Sequence, residues 1–150
     1  MKIGDSETRD MQDKNMNLEI IKGFLDAENK RDWEIWRSHL SPDVVYEQVG
    51  SDVRVSGAGS YCLYMQQAYE KIPDWQFSIT ALAGDQDMVM AEFDGRGHYT
   101  GRFEDRFVDK SPLRLLSVCI FRIKNSKIVF VREYLDQQGF EKQITKTVSI

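Results

Sequence analysis

Cysteine is scarce in this chain: Cys62 and Cys119 stand far apart, and neither belongs to a Cys-x-x-Cys pair. That spacing excludes a zinc ribbon and a disulfide framework as the source of the fold. The expectation is two reduced, buried thiols in a cytoplasmic protein. Basic runs are also missing. With a net charge of −4 and no Lys/Arg stripe, neither nucleic acid nor an anionic membrane surface is an expected partner. No apolar run approaches membrane-spanning length. Residues 1–15 are polar and charged and carry no hydrophobic signal segment, so residues 1–16 read as a flexible N-terminal arm. Repeats and low-complexity linkers are absent too, which leaves residues 17–150 as a single domain. A chain of this length buries roughly two thirds of the surface that its unfolded form exposes. The glycine pattern of a dinucleotide site is incomplete: Ser56-Gly57-Ala58-Gly59-Ser60 lacks the third glycine and the preceding βαβ context, and glycines before a Ser N-cap account for it. No metal or organic cofactor is expected.

What is present is clear periodicity. Leu18, Ile21, Leu25 and Glu28, with Ile20 and Phe24 beside them, follow helical spacing from Asn17 to about Lys30. The mixed-sign run Glu28-Asn29-Lys30-Arg31-Asp32 reads as a solvated helix end. A second helix covers residues 33–40, with Trp33 and Trp36 at i and i+3 packing into the core and His39 structural in the last turn. Residues 44–49 and 53–55 read as strands around a Gly50-Ser51-Asp52 turn. A third helix covers residues 61–72 and stops at Pro73-Asp74. Residues 75–83 and 88–99 form strands joined by a turn at 84–87, and a polar loop at 100–110 leads to closing strands at 113–123 and 128–135. Three helices in the first half and long strands at the end predict an α+β fold, with helices on one face of a curved, mainly antiparallel sheet around an apolar pocket. Residues 113–123 and 128–135 are apolar on both alternating faces and need cover on both sides. The helices supply one cover, and a second subunit, hence a homodimer, is the economical source of the other.

Asp136 follows the last strand and has two readings. Arriving in apolar surroundings, its carboxyl would lose hydration, hold its proton more tightly and serve as a poised acid/base. Alternatively, it caps a terminal helix through residues 137–143. On residues 88–99, period two places Glu92, Asp94, Arg96 and His98 on one face, either a solvated outer surface or a polar pocket wall with Arg96 holding Asp94 charged and His98 exchanging a proton. Gly95 and Gly97 on the other face imply sheet bending or the close approach of something bulky. Tyr46, Tyr61, Tyr64, Met65, Met90 and Phe107 are candidate wall residues.

Three stretches in this order and spacing carry a family resemblance: Ile72-Pro73-Asp74-Trp75-Gln76-Phe77; Gly95-Arg96-Gly97-His98-Tyr99-Thr100-Gly101; and Lys127-Ile128 through Asp136 to Gln143. Over residues 18–143 the pattern resembles the NTF2-like (cystatin-like) cone and, within it, the SnoaL-like polyketide cyclases, although Ser126 replaces their turn glycine. The resemblance implies an intramolecular aldol ring closure or isomerisation of a polyketide-like or terpenoid-like carbonyl compound, without metal or cofactor, with Asp136 as general acid/base. Tyr46, Gln48 and His98 would orient the substrate. Limonene-type epoxide hydrolases share the fold and are also similar here: Arg132-Glu133-Tyr134-Leu135-Asp136 looks like their Arg-Asp-Tyr-Phe-Asp segment, and Tyr46-x-Gln48 resembles the Tyr-x-Asn pair that holds their attacking water. Their chemistry also needs an Arg-x-Asp on a neighbouring strand, whereas this chain has a reversed and displaced Asp94-x-Arg96. A non-catalytic binding or assembly module is the alternative from another functional class, since fold alone does not fix function.

Overall fold

The computed structural model describes residues 3–146 in the order α1 (Ile3–Lys30), α2 (Trp33–Ser38), β1 (Leu40–Val49), β2 (Arg54–Ser56), α3 (Ala58–Lys71), β3 (Gln76–Gly84), β4 (Met88–Phe103), β5 (Arg106–Lys124), β6 (Lys127–Leu135) and α4 (Gln137–Lys146). The strands form one curved, unclosed six-stranded sheet in the order β2-β1-β6-β5-β4-β3. Every neighbouring pair is antiparallel except β1 and β6, which run parallel. This is the α+β cone expected from the sequence.

Alternation along the strands sorts the side chains. On β4, Val89, Ala91, Phe93, Gly95 and Tyr99 are buried, whereas Glu92, Arg96 and His98 are exposed. On the helical side, Phe24 of α1 stacks on Trp36 of α2 at 4.9 Å between ring centroids and meets Phe121 of β5 edge-on at 6.0 Å. Trp36 in turn meets Tyr61 of α3 at 4.8 Å. These aromatic contacts join α1, α2, α3 and the sheet in one core, to which Ile21, Val44, Val89, Ile128 and Val131 also contribute. Aromatic pairs of this kind each add about 0.5–1.5 kcal/mol beyond the area they bury. A smaller cluster joins Ile144 and Phe140 of α4 to Tyr99, Phe103 and Val108 of the β4–β5 hairpin.

Several boundaries differ from the sequence reading. The first helix begins at Ile3 rather than Asn17, so the segment read as a flexible arm is helical from residue 3; Glu7, Arg9, Met11, Gln12, Lys14 and Met16 are good helix formers, and no proline interrupts them. Residues 100–110 are not a loop but the outer end of the β4–β5 hairpin, turning at Glu104, where φ is +55°. Pairing across that hairpin continues to Phe103 and Arg106, and the second aromatic cluster holds it. The third helix starts at Ala58 with Gly57 at its N-cap in a left-handed conformation (φ +95°), and Ser60 lies inside it rather than capping it. Leu40, expected at the end of α2, opens β1, and Pro42 sits in the register break between Leu40 and Val45, where a missing N–H costs no ladder bond. His39 closes α2 as expected, its Nδ1 2.8 Å from the Ile35 carbonyl oxygen.

Candidate functional site

A cavity lies between α1, α3 and the inner face of the sheet. Its volume open to the centres of water-sized spheres is about 160 Å³. That is about ten times what one water requires, so a small organic molecule fits. The expected wall residues Tyr46, Gln48, Tyr61, Tyr64 and Met65 line it, together with Phe24, Trp75, Phe77, Phe93, Leu115 and Leu135. Against this apolar lining stand two carboxyls, Glu133 and Glu28.

Glu133 reaches the cavity because β6 alternates: Val131, Glu133 and Leu135 share the inner face. Its parallel neighbour β1 sets Gln48 in register with Glu133 and Tyr46 with Val131. The Tyr46 hydroxyl donates to Glu133 Oε1 at 2.8 Å, and the Cys119 thiol donates to Oε2 at 3.7 Å. Gln48 Nε2 donates to the Tyr46 hydroxyl at 2.8 Å and to the Tyr64 hydroxyl at 3.3 Å, while Ser51 Oγ donates to Gln48 Oε1 at 3.0 Å. The chain of donors therefore runs one way, from Ser51 through Gln48 and Tyr46 to Glu133, and spends the tyrosine proton on the carboxyl. Tyr46 is fixed from below by its ring stack on Tyr61, 4.5 Å and 11° apart. Burial pushes the Glu133 carboxyl above its ordinary range, and the bonds from Tyr46 and Cys119 pull partly the other way. The same burial holds Tyr46, Tyr61 and Cys119 neutral, weakening each as an acid.

Glu28 enters from the helical wall. Its Oε1 accepts from Trp36 Nε1 at 3.0 Å and its Oε2 accepts from the Tyr69 hydroxyl at 2.7 Å. Burial, and secondarily the charge of Glu133, raise its carboxyl from 4.5 to about 7, although the hydrogen bonds from Tyr69 and Trp36 and the nearby Arg31 oppose the shift. The charge run read as a solvated helix end is thus split: Lys30 is exposed and Glu28 is buried.

Other expected site residues lie elsewhere. Asp136 is exposed, and its Oδ1 accepts the Gly139 backbone N–H at 2.9 Å, capping α4. The apolar strands that precede it end one residue short of enclosing it. His98 is exposed on the outer face of β4, with Nδ1 2.6 Å from Asp74 Oδ2 and its backbone N–H donating to Asp74 Oδ1 at 2.8 Å. Those contacts hold the Asp74 carboxyl below its ordinary range. Asp94 accepts from Arg114 Nε and Nη2, both at 3.0 Å, and Arg96 Nη2 stands 4.0 Å away. The polar face of β4 is therefore the outer one. Met90 is 43% exposed on that face, and Phe107 is 65% exposed near the tip of the β4–β5 hairpin. None of Asp136, His98, Asp94, Arg96, Met90 or Phe107 lines the cavity.

Glu133 and Glu28 are the cavity carboxyls that the sequence reading did not single out as candidates. The signal for each was its position: Glu133 sits two residues from Val131 and Leu135, and Glu28 continues the Ile21–Leu25 stripe. No arginine lines the cavity, and β5, the other neighbour of β6, presents Leu115, Ser117 and Cys119 to it. Among the described residues no group of three His, Cys, Asp or Glu could hold a metal ion, and no helix is long and apolar enough to cross a membrane.

A family model described as SnoaL-like polyketide cyclase matches residues 19–144. Similar solved structures include a protein from Jannaschia sp. CCS1 provisionally assigned as a SnoaL-like polyketide cyclase, 15% identical over 88% of this chain and 93% of that one, with a TM-score of 0.80. An LEH-like epoxide hydrolase from M. tuberculosis is 17% identical over 89% of this chain and 92% of that one, with a TM-score of 0.72. A protein from Kribbella flavida DSM 17836 provisionally assigned as a ketosteroid isomerase is 22% identical over 83% and 81%, with a TM-score of 0.67. At these identities the likeness is one of fold. No curated protein matches the chain.

Proposed function

Because this chain belongs to the SnoaL-like polyketide cyclase family, we propose that its cone catalyses cyclisation or isomerisation of a polyketide-like or terpenoid-like carbonyl compound by proton transfer, with Glu133 as the acid/base. The observation that carries this reading is the Glu133 carboxyl at the wall of an apolar cavity, fixed by Tyr46 and Cys119 and raised in basicity by burial. A carboxylate whose proton affinity is lifted towards working pH is a better base than one in water, and it still releases its proton in the next step. Removing a proton from the carbon beside a carbonyl yields an enolate. That carbon then attacks a second carbonyl in the same molecule to close a ring, or takes the proton back at another position to isomerise.

The apolar lining favours a substrate with little charge, and the hydroxyls of Tyr46 and Tyr64 with the Gln48 amide supply the few polar contacts that orient one. Epoxide opening is less well supported, since it would draw on an arginine flanked by two carboxyls and β5 offers Leu115 and Ser117 in that region. The test uses an aryl β-keto ester in D2O, with exchange of its α-proton followed by NMR. The wild-type protein should accelerate exchange, and Glu133→Gln should lower the acceleration by roughly 10²–10⁴-fold while remaining folded. Equal exchange by both proteins would reject Glu133 as the base.

A further inference from the structure

Proton abstraction at Glu133 leaves one cavity group unused. Glu28 stands on the helical wall, whereas Glu133 stands on the sheet, and both line the same space. Burying a carboxyl is costly unless it is paired, and Glu28 forms no ion pair among the described residues. Arg31, the guanidinium beside it, is engaged elsewhere: Nη1 donates to the Glu28 backbone carbonyl at 2.8 Å, Nη2 to the Trp75 carbonyl at 2.7 Å, and its Cζ lies 3.7 Å over the Tyr69 ring. The bonds from Trp36 and Tyr69 use two of about four acceptor positions on the carboxyl. A carboxyl accepts both donors, one on each oxygen, and in its acid form also carries a transferable proton, which an amide lacks.

Resting on the reading of Glu133 as the base, we infer that Glu28 is a second catalytic residue, whose carboxylic acid gives a proton to the substrate carbonyl oxygen while Glu133 takes one from the adjacent carbon. The C–H electron pair becomes the C=C bond of an enol, the carbonyl π pair takes up the Glu28 proton, and Glu28 is left as the carboxylate. In ring closure the enol O–H proton returns to Glu28 and the enol π pair forms the carbon–carbon bond. The π pair of the attacked carbonyl then accepts the proton held by Glu133. The substrate class that uses both groups has a carbonyl oxygen next to an acidic carbon, as a 1,3-dicarbonyl does.

The surroundings keep the two carboxyls in different states. Facing Glu28 are Tyr69 and Tyr61 of α3, Cys119 of β5, Glu133 of β6 and Arg31 at the end of its own helix. Burial holds both tyrosines and the cysteine neutral, so among the described residues the charges that act on Glu28 are those of Arg31 and Glu133. The charge of Glu133 adds to burial at Glu28, which therefore keeps its proton up to about pH 7.

Two measurements test this. In the α-proton exchange assay with the aryl β-keto ester, wild-type activity should fall as pH rises through about 7. Folded Glu28→Gln should lose roughly 10²-fold at pH 6 and lose that alkaline fall. Independently, acetophenone labelled with ¹³C at the carbonyl is bound to the Glu133→Gln protein, and its carbonyl stretch is followed by infrared spectroscopy. A hydrogen bond from protonated Glu28 should lower the frequency at low pH and disappear as pH rises, with a midpoint below 7 because this variant lacks the Glu133 charge that adds to the shift, and the change needs no variant at Glu28. A stretch that does not titrate, or wild-type rate and pH profile in Glu28→Gln, overturns the proposal; in either case the loss of exchange in Glu133→Gln leaves the base standing. A titrating stretch with no exchange by the wild-type protein leaves Glu28 as the oxygen donor and rejects Glu133 as the base.

Discussion

Tyr46 and Glu133 face each other from two parallel neighbouring strands, and the tyrosine hydroxyl reaches the carboxyl at 2.8 Å while its ring stays stacked on Tyr61. Strand pairing fixes the distance and the stack fixes the angle, so the hydroxyl can hardly turn elsewhere. Its bond stabilises the ionised carboxylate and so lowers a proton affinity that burial raises. Tyr46→Phe keeps the stack and removes the donor. The Glu133 proton should then be held to higher pH, and the acidic limb of the α-proton exchange profile should move upward. Stability should fall by about 1–2 kcal/mol, since the bond to Glu133 and the bond from Gln48 are both lost, although Gln48 keeps Tyr64 as an acceptor.

Glu28 makes stability depend on pH in a calculable direction. Its folded-state carboxyl is raised from 4.5 to about 7, so the folded chain holds the proton more tightly than the unfolded chain. The contribution is fully present below pH 4.5 and is lost as pH rises through 7; a shift of this size is worth about 3 kcal/mol. Urea unfolding at pH 5 and pH 8 should show the wild-type protein losing stability over this interval. Glu28→Gln should lose clearly less, keeping a dependence in the same sense from Glu133. Equal losses in both proteins would mean that Glu28 does not carry the shift.

Asp136 gives the converse case. Its carboxylate caps α4 by accepting from Gly139, and that glycine leaves room for it: a Cβ at 139 would stand within 2.3 Å of Asp136 Oδ2. Asp136→Ala should cost about 1 kcal/mol and Asp136→Asn less. Neither should change α-proton exchange, because Asp136 is exposed outside the cavity. A collapse of exchange in Asp136→Asn would restore the acid/base role that the family resemblance implies for it.

The sheet, its helices and most of the cavity wall were legible in the sequence because period two and period 3.6 report which face a residue occupies. Gly95 and Gly97 read as sheet bending or the close approach of something bulky, and the bulky neighbour is Trp75, whose ring would lie 2.1 Å from a Cβ at residue 95. The carboxyl of the site was harder to read. Spacing after Lys127 pointed to Asp136, but a residue after a strand end is free of the sheet's alternation, whereas Glu133 is bound by it. Glu28 occupies an apolar stripe, yet its neighbours Lys30, Arg31 and Asp32 made it look solvated. The partner of each buried carboxyl, Tyr46 for one and Trp36 with Tyr69 for the other, comes from a distant segment, and no local pattern announces such a pairing. The polar face of β4 was left open between water and pocket, and the bond from Arg114 on β5 to Asp94 marks it as the outer one.

That outer face carries the last prediction. Leu116 is 58% exposed, Met90 43%, Tyr134 41% and Val49 41%, all on the side of the sheet away from the helices. Strand pairing joins them into one surface: Val49 stands beside Tyr134, Tyr134 beside Val118, Ile120 beside Met90, and Leu116 beside Asp94. These apolar side chains lie among the charged ones of the outer face, Glu92, Arg96 and His98 included, and offer a surface for association that a second copy presents in return. The ion pairs from Glu47 to Arg132 at 2.6 Å and to Arg54 at 2.7 Å lie within the surface already satisfied, so covering them strands no charge. Sedimentation should give twice the chain mass at micromolar concentration, with an interface above about 1,000 Å² in total. Leu116→Glu places an unpaired carboxylate on this surface, away from the cavity, and should yield folded monomers. A wild-type protein that sediments as a monomer, or a Leu116→Glu protein that dimerises as well as wild type, would assign the face to water or to a different contact.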